Sequence, residues 1–166
     1  MDTKDVLDLL GYHYWATDII LDAASNVSPA QFIASVTPNP GRGSLRGILV
    51  HALDTEIGWR QTVQKLELFP DLVEQDLADV PTLKSRWMAE RENWFSFCKS
   101  LGRQALNAPY TYQFGNGPVR TRRVWQTITH VVNHGTQHRS EAAFLLTGYG
   151  HSPGDLDFNY YLHMRA

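Results

Sequence analysis

Residues 129–139 read THVVNHGTQHR, which places His130, His134 and His138 at every fourth position. On an α-helix this spacing puts all three side chains on one face, about 6 Å apart along the axis. Adjacent members of the series can turn two imidazole nitrogens toward one metal ion, because neutral imidazole offers a free lone pair. The stretch therefore predicts a metal site inside a helical protein, and it leaves open what the metal does.

Helical periodicity continues on the N-terminal side of this stretch. Asp2 or Thr3 is a suitable N-cap for the first helix and Ser44 for the second, and Gly148 ends the last one. Apolar residues recur every three or four positions in residues 3–26, 45–66, 82–101 and 123–146. Four long helices predict an all-α four-helix bundle, an architecture in which metal sites are commonly built from facing helices.

The connections between these helices carry their own signals. Residues 37–43 (TPNPGRG) are typical of a loop, and residues 69–71 (FPD) break the second helix. Residues 110–114 are aromatic or β-branched for the most part, residues 115–117 (GNG) favour a turn, and residues 119–121 return the chain. This pattern predicts a short β-hairpin before the last long helix.

Composition limits the class of protein. A chain of 166 residues with 43% hydrophobic and 19% charged residues is typical of a folded protein, here a single domain over residues 1–166. The formal net charge of −2 gives no electrostatic reason to expect nucleic acid as a partner. A single cysteine, Cys98, excludes an intrachain disulfide and fits a reducing compartment. No stretch approaches the ~20 apolar residues of a membrane span or forms a signal peptide, so we expect a cytoplasmic protein without a membrane partner.

His51, on the second predicted helix, is a candidate partner for the histidine series. Its helical stripe is mostly small or apolar and should face inward, so His51 needs a polar partner there. Two adjacent histidines of the last helix plus His51 would give three protein ligands and one open position, the pattern of a catalytic metal. The alternative is that the three histidines of the last helix form a hydrogen-bonded seam or a solvated face. His13 lies on the apolar side of the first helix, where a hydrogen-bonded core histidine is more common than a ligand.

Other chemistry has less support from the residues. No histidine is preceded by Glu at the third position before it, as di-iron bundles require, and no His-Glu-x-x-His is present. Glu141 follows His138 by three residues and could approach the metal, orient a ligand ring or be a surface charge. Cys98 has no flanking motif and lies on an apolar face, which indicates an inert thiol. The five tryptophans fall at helical spacing and favour core positions over a binding platform.

Four stretches of the chain together resemble the DinB-like (DinB/YfiT) four-helix bundles. They are residues 14–21 (YWATDIIL), 48–56 (ILVHALDTE), 130–139 (HVVNHGTQHR) and 148–157 (GYGHSPGDLD). The resemblance implies that His51, His134 and His138 bind one divalent metal ion, typically zinc or nickel, and that His130 lies outside this triad in a supporting position. The family often has Gly-Gln after the His-Arg pair, whereas this chain has Ser140 and Glu141.

The resemblance also implies a function. Some members of the family are thiol S-transferases that use a low-molecular-weight thiol, and one is a mycothiol-dependent isomerase; a metal-bound thiol is held as its thiolate. We therefore expect a metal-dependent thiol S-transferase with a small-molecule substrate, and, as in many members, a homodimer. The alternatives are a non-enzymatic, stress-related metal-binding module and a metal-dependent hydrolase, whose base would be Glu141, His130 or His13.

Overall fold

A computed structural model of the chain describes residues 1–37, 42–68 and 70–165. In chain order the elements are α1 (Thr3–Ala24), α2 (Pro29–Ile33), α3 (Leu45–Gln64), a 3₁₀ turn (Glu74–Asp76), α4 (Val80–Ser100), α5 (Arg103–Asn107), β1 (Pro109–Tyr112), β2 (Arg120–Arg123), α6 (Val124–Gly148) and α7 (Phe158–Arg165). The long helices α1, α3, α4 and α6 contain between 20 and 25 residues each. The predicted all-α bundle, with a hairpin before the last long helix, is confirmed.

Side-chain caps determine where three of the long helices begin. Asp2, Ser44 and Asp79 each accept a hydrogen bond from the backbone N–H three residues later, at 2.8–3.0 Å. The predicted caps at Asp2 and Ser44 are confirmed. The third long helix begins two residues earlier than predicted, at Val80, because Asp79 caps it and a proline is tolerated in a first turn. The second ends earlier than predicted, since Lys65 adopts a left-handed conformation with φ 56°.

The core of the bundle lies between the four long helices. Helix α6 packs against both α1 and α3, and α1 also packs against α4. Gly135 is a point of close approach between α6 and α1, because a Cβ atom there would lie 2.5 Å from Cε1 of His13. Fully buried side chains of the core include Leu10, Ile20, Ile48, Leu53, Leu83, Trp94, Ile128 and Leu146.

The β-hairpin covers one end of the groove between α3 and α6. Strands β1 and β2 pair antiparallel, with Tyr112 opposite Arg120. Tyr112 points inward, and its ring centroid lies 5.1 Å from that of Trp59 on α3. The hairpin thereby adds aromatic rings to the same side of α3 that carries His51.

Parts of two predicted connections lie outside the described residues. They are the predicted loop at residues 37–43, of which 38–41 are not described, and the helix break at residues 69–71, of which 69 is not described. Across the ranges that the structure does describe, every helix is too short or too polar to cross a membrane.

The tight α1–α6 contact yields a test of the packing. Replacing Gly135 by Ala inserts a methyl group against the buried His13 ring, and we expect a loss of about 1–3 kcal/mol in the free energy of unfolding. Gly58→Ala is the matched control, because open space surrounds a Cβ there and helix propensity should raise stability by about 0.5–1 kcal/mol. Urea unfolding of both variants in chelator measures the difference; equal effects would contradict the close approach.

Candidate metal centre

Three histidines from two helices converge in the groove between α3 and α6. His51 projects from α3, and His134 and His138 project from successive turns of α6. One ring nitrogen from each lies within 4.8 Å of the other two. The ring centroids are 4.4 Å apart for His134 and His138, and 4.8–5.1 Å from each of these to His51. The structure thus brings together the three residues that the family resemblance selects.

His134 and His138 face each other through Nε2, and these two nitrogens lie 3.1 Å apart. On the far side of the His138 ring, Nδ1–H donates to Oε2 of Glu141 at 2.7 Å. A carboxylate behind a histidine in this way fixes the tautomer with a lone pair on Nε2 and orients the ring. The sequence allowed Glu141 to approach the metal, to orient a ligand ring or to be a surface charge. The geometry favours the second role, orientation of the His138 ring.

Two of the three imidazoles, those of His51 and His134, are held in the neutral form that binds metals. Burial, together with the positive charge of Arg42 and the neighbouring His138, lowers the pKa of His51 to about 4. Burial and the adjacent histidines lower the pKa of His134 to about 3. At neutral pH both rings are unprotonated, so their lone pairs are available to an ion.

The cluster fits a tetrahedral ion with three protein ligands. Two imidazole nitrogens on tetrahedral zinc lie about 3.3 Å apart, from zinc–nitrogen bonds of about 2.0 Å, and the His134–His138 pair already has this separation. The His51 nitrogen lies within 4.8 Å of the other two and would move closer to complete the triad. Within the described ranges no fourth histidine, cysteine or carboxylate joins the cluster. Such a donor set would leave one coordination position for an external ligand.

Arg42 occupies the approach to His51. Its Nη2 donates to Nε2 of His51 at 2.8 Å, so the nitrogen that would bind an ion is here a hydrogen-bond acceptor. Thr55 Oγ1 lies 3.5 Å from the same nitrogen. An ion in the cluster would have to displace the guanidinium, which would then remain as a positive charge beside the centre.

His130, the first member of the histidine series, stands outside the cluster. Its ring lies 5.7 Å from that of His134 and 5.1 Å from that of Trp59, between the centre and the hairpin. Arg122 of β2 lies over the Trp59 ring at 5.1 Å. Burial and the charge of Arg122 lower the pKa of His130, which keeps it neutral. This position accords with the supporting role that the resemblance implies.

His13 belongs to a buried network beneath the cluster. Its Nε2–H donates to Glu56 at 3.0 Å, and its Nδ1 accepts from Arg139 at 2.9 Å, so both ring nitrogens are engaged. Tyr14 and Trp87 also donate to the Glu56 carboxylate. Burial lowers the pKa of His13 despite its contact with this carboxylate. His13 is thus a hydrogen-bonded core residue, and the other two histidines, His151 and His163, lie in the tail away from the cluster.

Sequence reasoning missed the parts of the site that depend on contacts between elements. Glu56 and Arg139 are charged residues beside the stripes that carry His51 and His138, and each is at least 95% buried. The position of Glu56 on an otherwise apolar helix face could have indicated a buried network, because a buried carboxylate requires hydrogen-bond donors from other elements. Arg42 gave no signal, since its contact with His51 joins two side chains nine positions apart, one of which precedes α3.

The fold and the histidine cluster define a helical-bundle protein with a candidate divalent-metal centre. The DinB family model matches residues 1–166. Protein DinB of Bacillus subtilis (strain 168) is 26% identical over 166 residues, an alignment that covers 94% of this chain and 92% of the relative. The chain therefore belongs to the DinB family, as its resemblance to that family predicted.

Loss of one cluster histidine tests the centre. For His134→Ala we expect the bound zinc or nickel to fall from about one ion per chain to almost none after dialysis in metal-limited buffer, because two imidazoles rarely retain such an ion. His163→Ala, an exposed histidine of α7, is the matched control and should keep the metal. Elemental analysis of both proteins gives the answer. Full occupancy in His134→Ala would contradict the assignment.

Removal of the competing guanidinium should strengthen metal binding. Arg42→Ala frees Nε2 of His51 and removes a positive charge beside the ion, and we expect about threefold to tenfold tighter zinc binding. Arg42→Lys retains the charge and should stay close to the unmodified protein. Competition against a chromogenic zinc chelator measures both affinities. Weaker binding by Arg42→Ala than by Arg42→Lys would show that Arg42 supports the site.

Proposed function

We propose that this chain is a divalent-metal-dependent thiol S-transferase in which His51, His134 and His138 hold the metal. The observation that carries the proposal is the convergence of three imidazoles without a fourth protein ligand among the described residues. Structural zinc sites are closed by four protein ligands, whereas catalytic sites keep one position free. Zinc or nickel suits this all-imidazole donor set.

The charges around the cluster support an anionic ligand at the free position. An imidazole ligand carries no negative charge, so the three histidines would cancel none of the charge of a divalent ion. Glu141 is the one carboxylate hydrogen-bonded to a cluster histidine in the described ranges, and Arg42 adds a positive charge nearby. When bound, the metal would supply the chemistry that converts a thiol into a thiolate at neutral pH.

The protein's own residues would orient and shield the reactants. Glu141 holds the His138 ring, and His130 with Trp59 forms an aromatic wall beside His134. In the overall reaction the thiol sulfur forms a bond to the carbon of an electrophile, a leaving group such as halide departs, and the thiol proton passes to the solvent. The Thr55 hydroxyl lies 3.5 Å from Nε2 of His51 and would be available to hydrogen-bond a reactant beside the centre.

A hydrolase has less support, because two of its candidate bases are already engaged. Glu141 is bonded to His138, and His13 is buried with both nitrogens occupied. His130 remains as a base, but its ring packs between Trp59 and His134. A non-enzymatic metal-binding module would have the same site geometry. The turnover experiment below distinguishes this alternative from the enzyme.

Metal-dependent thiol consumption tests the proposal. The zinc- or nickel-loaded protein should accelerate conjugation of cysteine, glutathione or coenzyme A to 1-chloro-2,4-dinitrobenzene, followed by absorbance of the thioether. Chelation or His134→Ala should reduce the rate to that of the uncatalysed reaction, and His163→Ala should not. No acceleration across a panel of thiols, combined with strong thermal destabilisation by chelator, would contradict the enzyme and favour the module. Ester hydrolysis without thiol would favour the hydrolase.

A further inference from the structure

A cleft of about 920 Å³ adjoins the histidine cluster. Its walls are one face of α3, part of the connection from α3 to α4, the start of α4 and Phe114 after β1. Thr55 connects the cleft to the centre, because it lines the cleft and lies 3.5 Å from Nε2 of His51. Trp59 also lines the cleft and packs on His130, which stands beside the cluster. A volume of this size is typical of small-molecule sites.

The α3 side of the cleft is a surface for a flat apolar group. The rings of Trp59 and Phe114 meet edge to face with centroids 5.2 Å apart. Gly58 lies one residue before Trp59, and a Cβ atom there would meet nothing within 4 Å. Leu72 and Leu77 add aliphatic surface opposite. An aromatic ring can therefore lie along α3 over Gly58 and bury its face against these side chains.

The charge of the cleft is negative. Among the described lining residues the carboxylates of Asp54, Asp71 and Asp76 outnumber the guanidinium of Arg86, and Arg122 lies over the Trp59 ring at 5.1 Å. Asp71 and Asp76 are exposed, and Asp54 accepts a hydrogen bond from the backbone N–H of Leu72 at 2.7 Å. This carboxylate excess disfavours an anionic ligand, in contrast to the centre, where Arg42 contributes positive charge.

We propose that the cleft binds an aromatic small molecule that is neutral or positively charged, and that this molecule is the electrophilic partner of the thiol. The role as electrophile rests on the proposed function. The binding of the aromatic molecule does not, because none of the three cluster histidines lines the cleft. The thiol and the aromatic compound then approach from sites of opposite charge that meet at Thr55.

Two probes of opposite charge test whether the cleft prefers a cationic aromatic molecule. Calorimetry with the full-length protein, zinc-loaded and chelated, compares 1-naphthylmethylammonium with 1-naphthoate, which share a ring system and differ in charge. We expect the cation to bind about fivefold or more tightly than the anion. Asp71→Asn combined with Asp76→Asn should remove most of this preference. Equal or tighter binding of the anion would overturn the charge assignment.

The location is tested by filling the cleft. Gly58→Leu places a side chain in the open space over α3, and we expect naphthyl binding about tenfold weaker or more because the apolar surface is already covered. Gly148→Leu, also at a position with open space but at the end of α6, is the control and should bind as the unmodified protein does. Unchanged affinity in Gly58→Leu would overturn the site.

Turnover separates failure of this inference from failure of the proposed function. With the metal-loaded protein, Gly58→Leu should keep its acceleration of thiol alkylation by the small electrophile iodoacetamide and lose that by 1-(bromomethyl)naphthalene. Equal acceleration of both by Gly58→Leu would refute the co-substrate role while the function stands. If the unmodified protein binds the naphthyl cation but accelerates neither reaction, the function fails and the binding site stands.

Discussion

The buried carboxylate of Glu56 is the interaction on which the arrangement of the helices depends. It accepts hydrogen bonds from Tyr14 of α1 and Trp87 of α4, and from His13, which in turn accepts from Arg139 of α6. A buried carboxylate without such donors would cost several kcal/mol, so the four long helices can pack only where all the donors reach it. Through this one group, the relative positions of α1, α3, α4 and α6 are coupled.

The candidate metal centre depends on this coupling. Glu56 and His51 share α3, and Arg139 directly follows His138 on α6, so the network that aligns these two helices also aligns the histidines they carry. Gly135 allows α1 to approach from the opposite side, and Glu141 orients the last ring. A metal bound between α3 and α6 would then stabilise the α3–α6 interface further, in addition to the hydrogen bonds between buried polar groups.

Sequence periodicity predicted most of the fold and part of the site. The four-residue spacing of His134 and His138 predicted their shared face, because helix geometry is local. The residues alone did not decide which pair of the series joins His51; the family resemblance did, since that choice depends on how α6 is rotated against α3. The contacts of Arg42 and Glu56 could not be predicted, because each requires the relative placement of two or more elements. Trp59, expected in the core, is only partly buried and lines the cleft, since the hairpin leaves one side of its ring open.

The central claim is a centre of three imidazoles with one position for an external ligand. X-ray absorption spectroscopy of the zinc-loaded protein tests it most directly, because the fine structure counts imidazole ligands and distinguishes sulfur from nitrogen or oxygen. We expect three imidazoles and one nitrogen or oxygen ligand before a thiol is added, and three imidazoles and one sulfur afterwards. A sulfur ligand before thiol addition, or a different number of imidazoles, would contradict it.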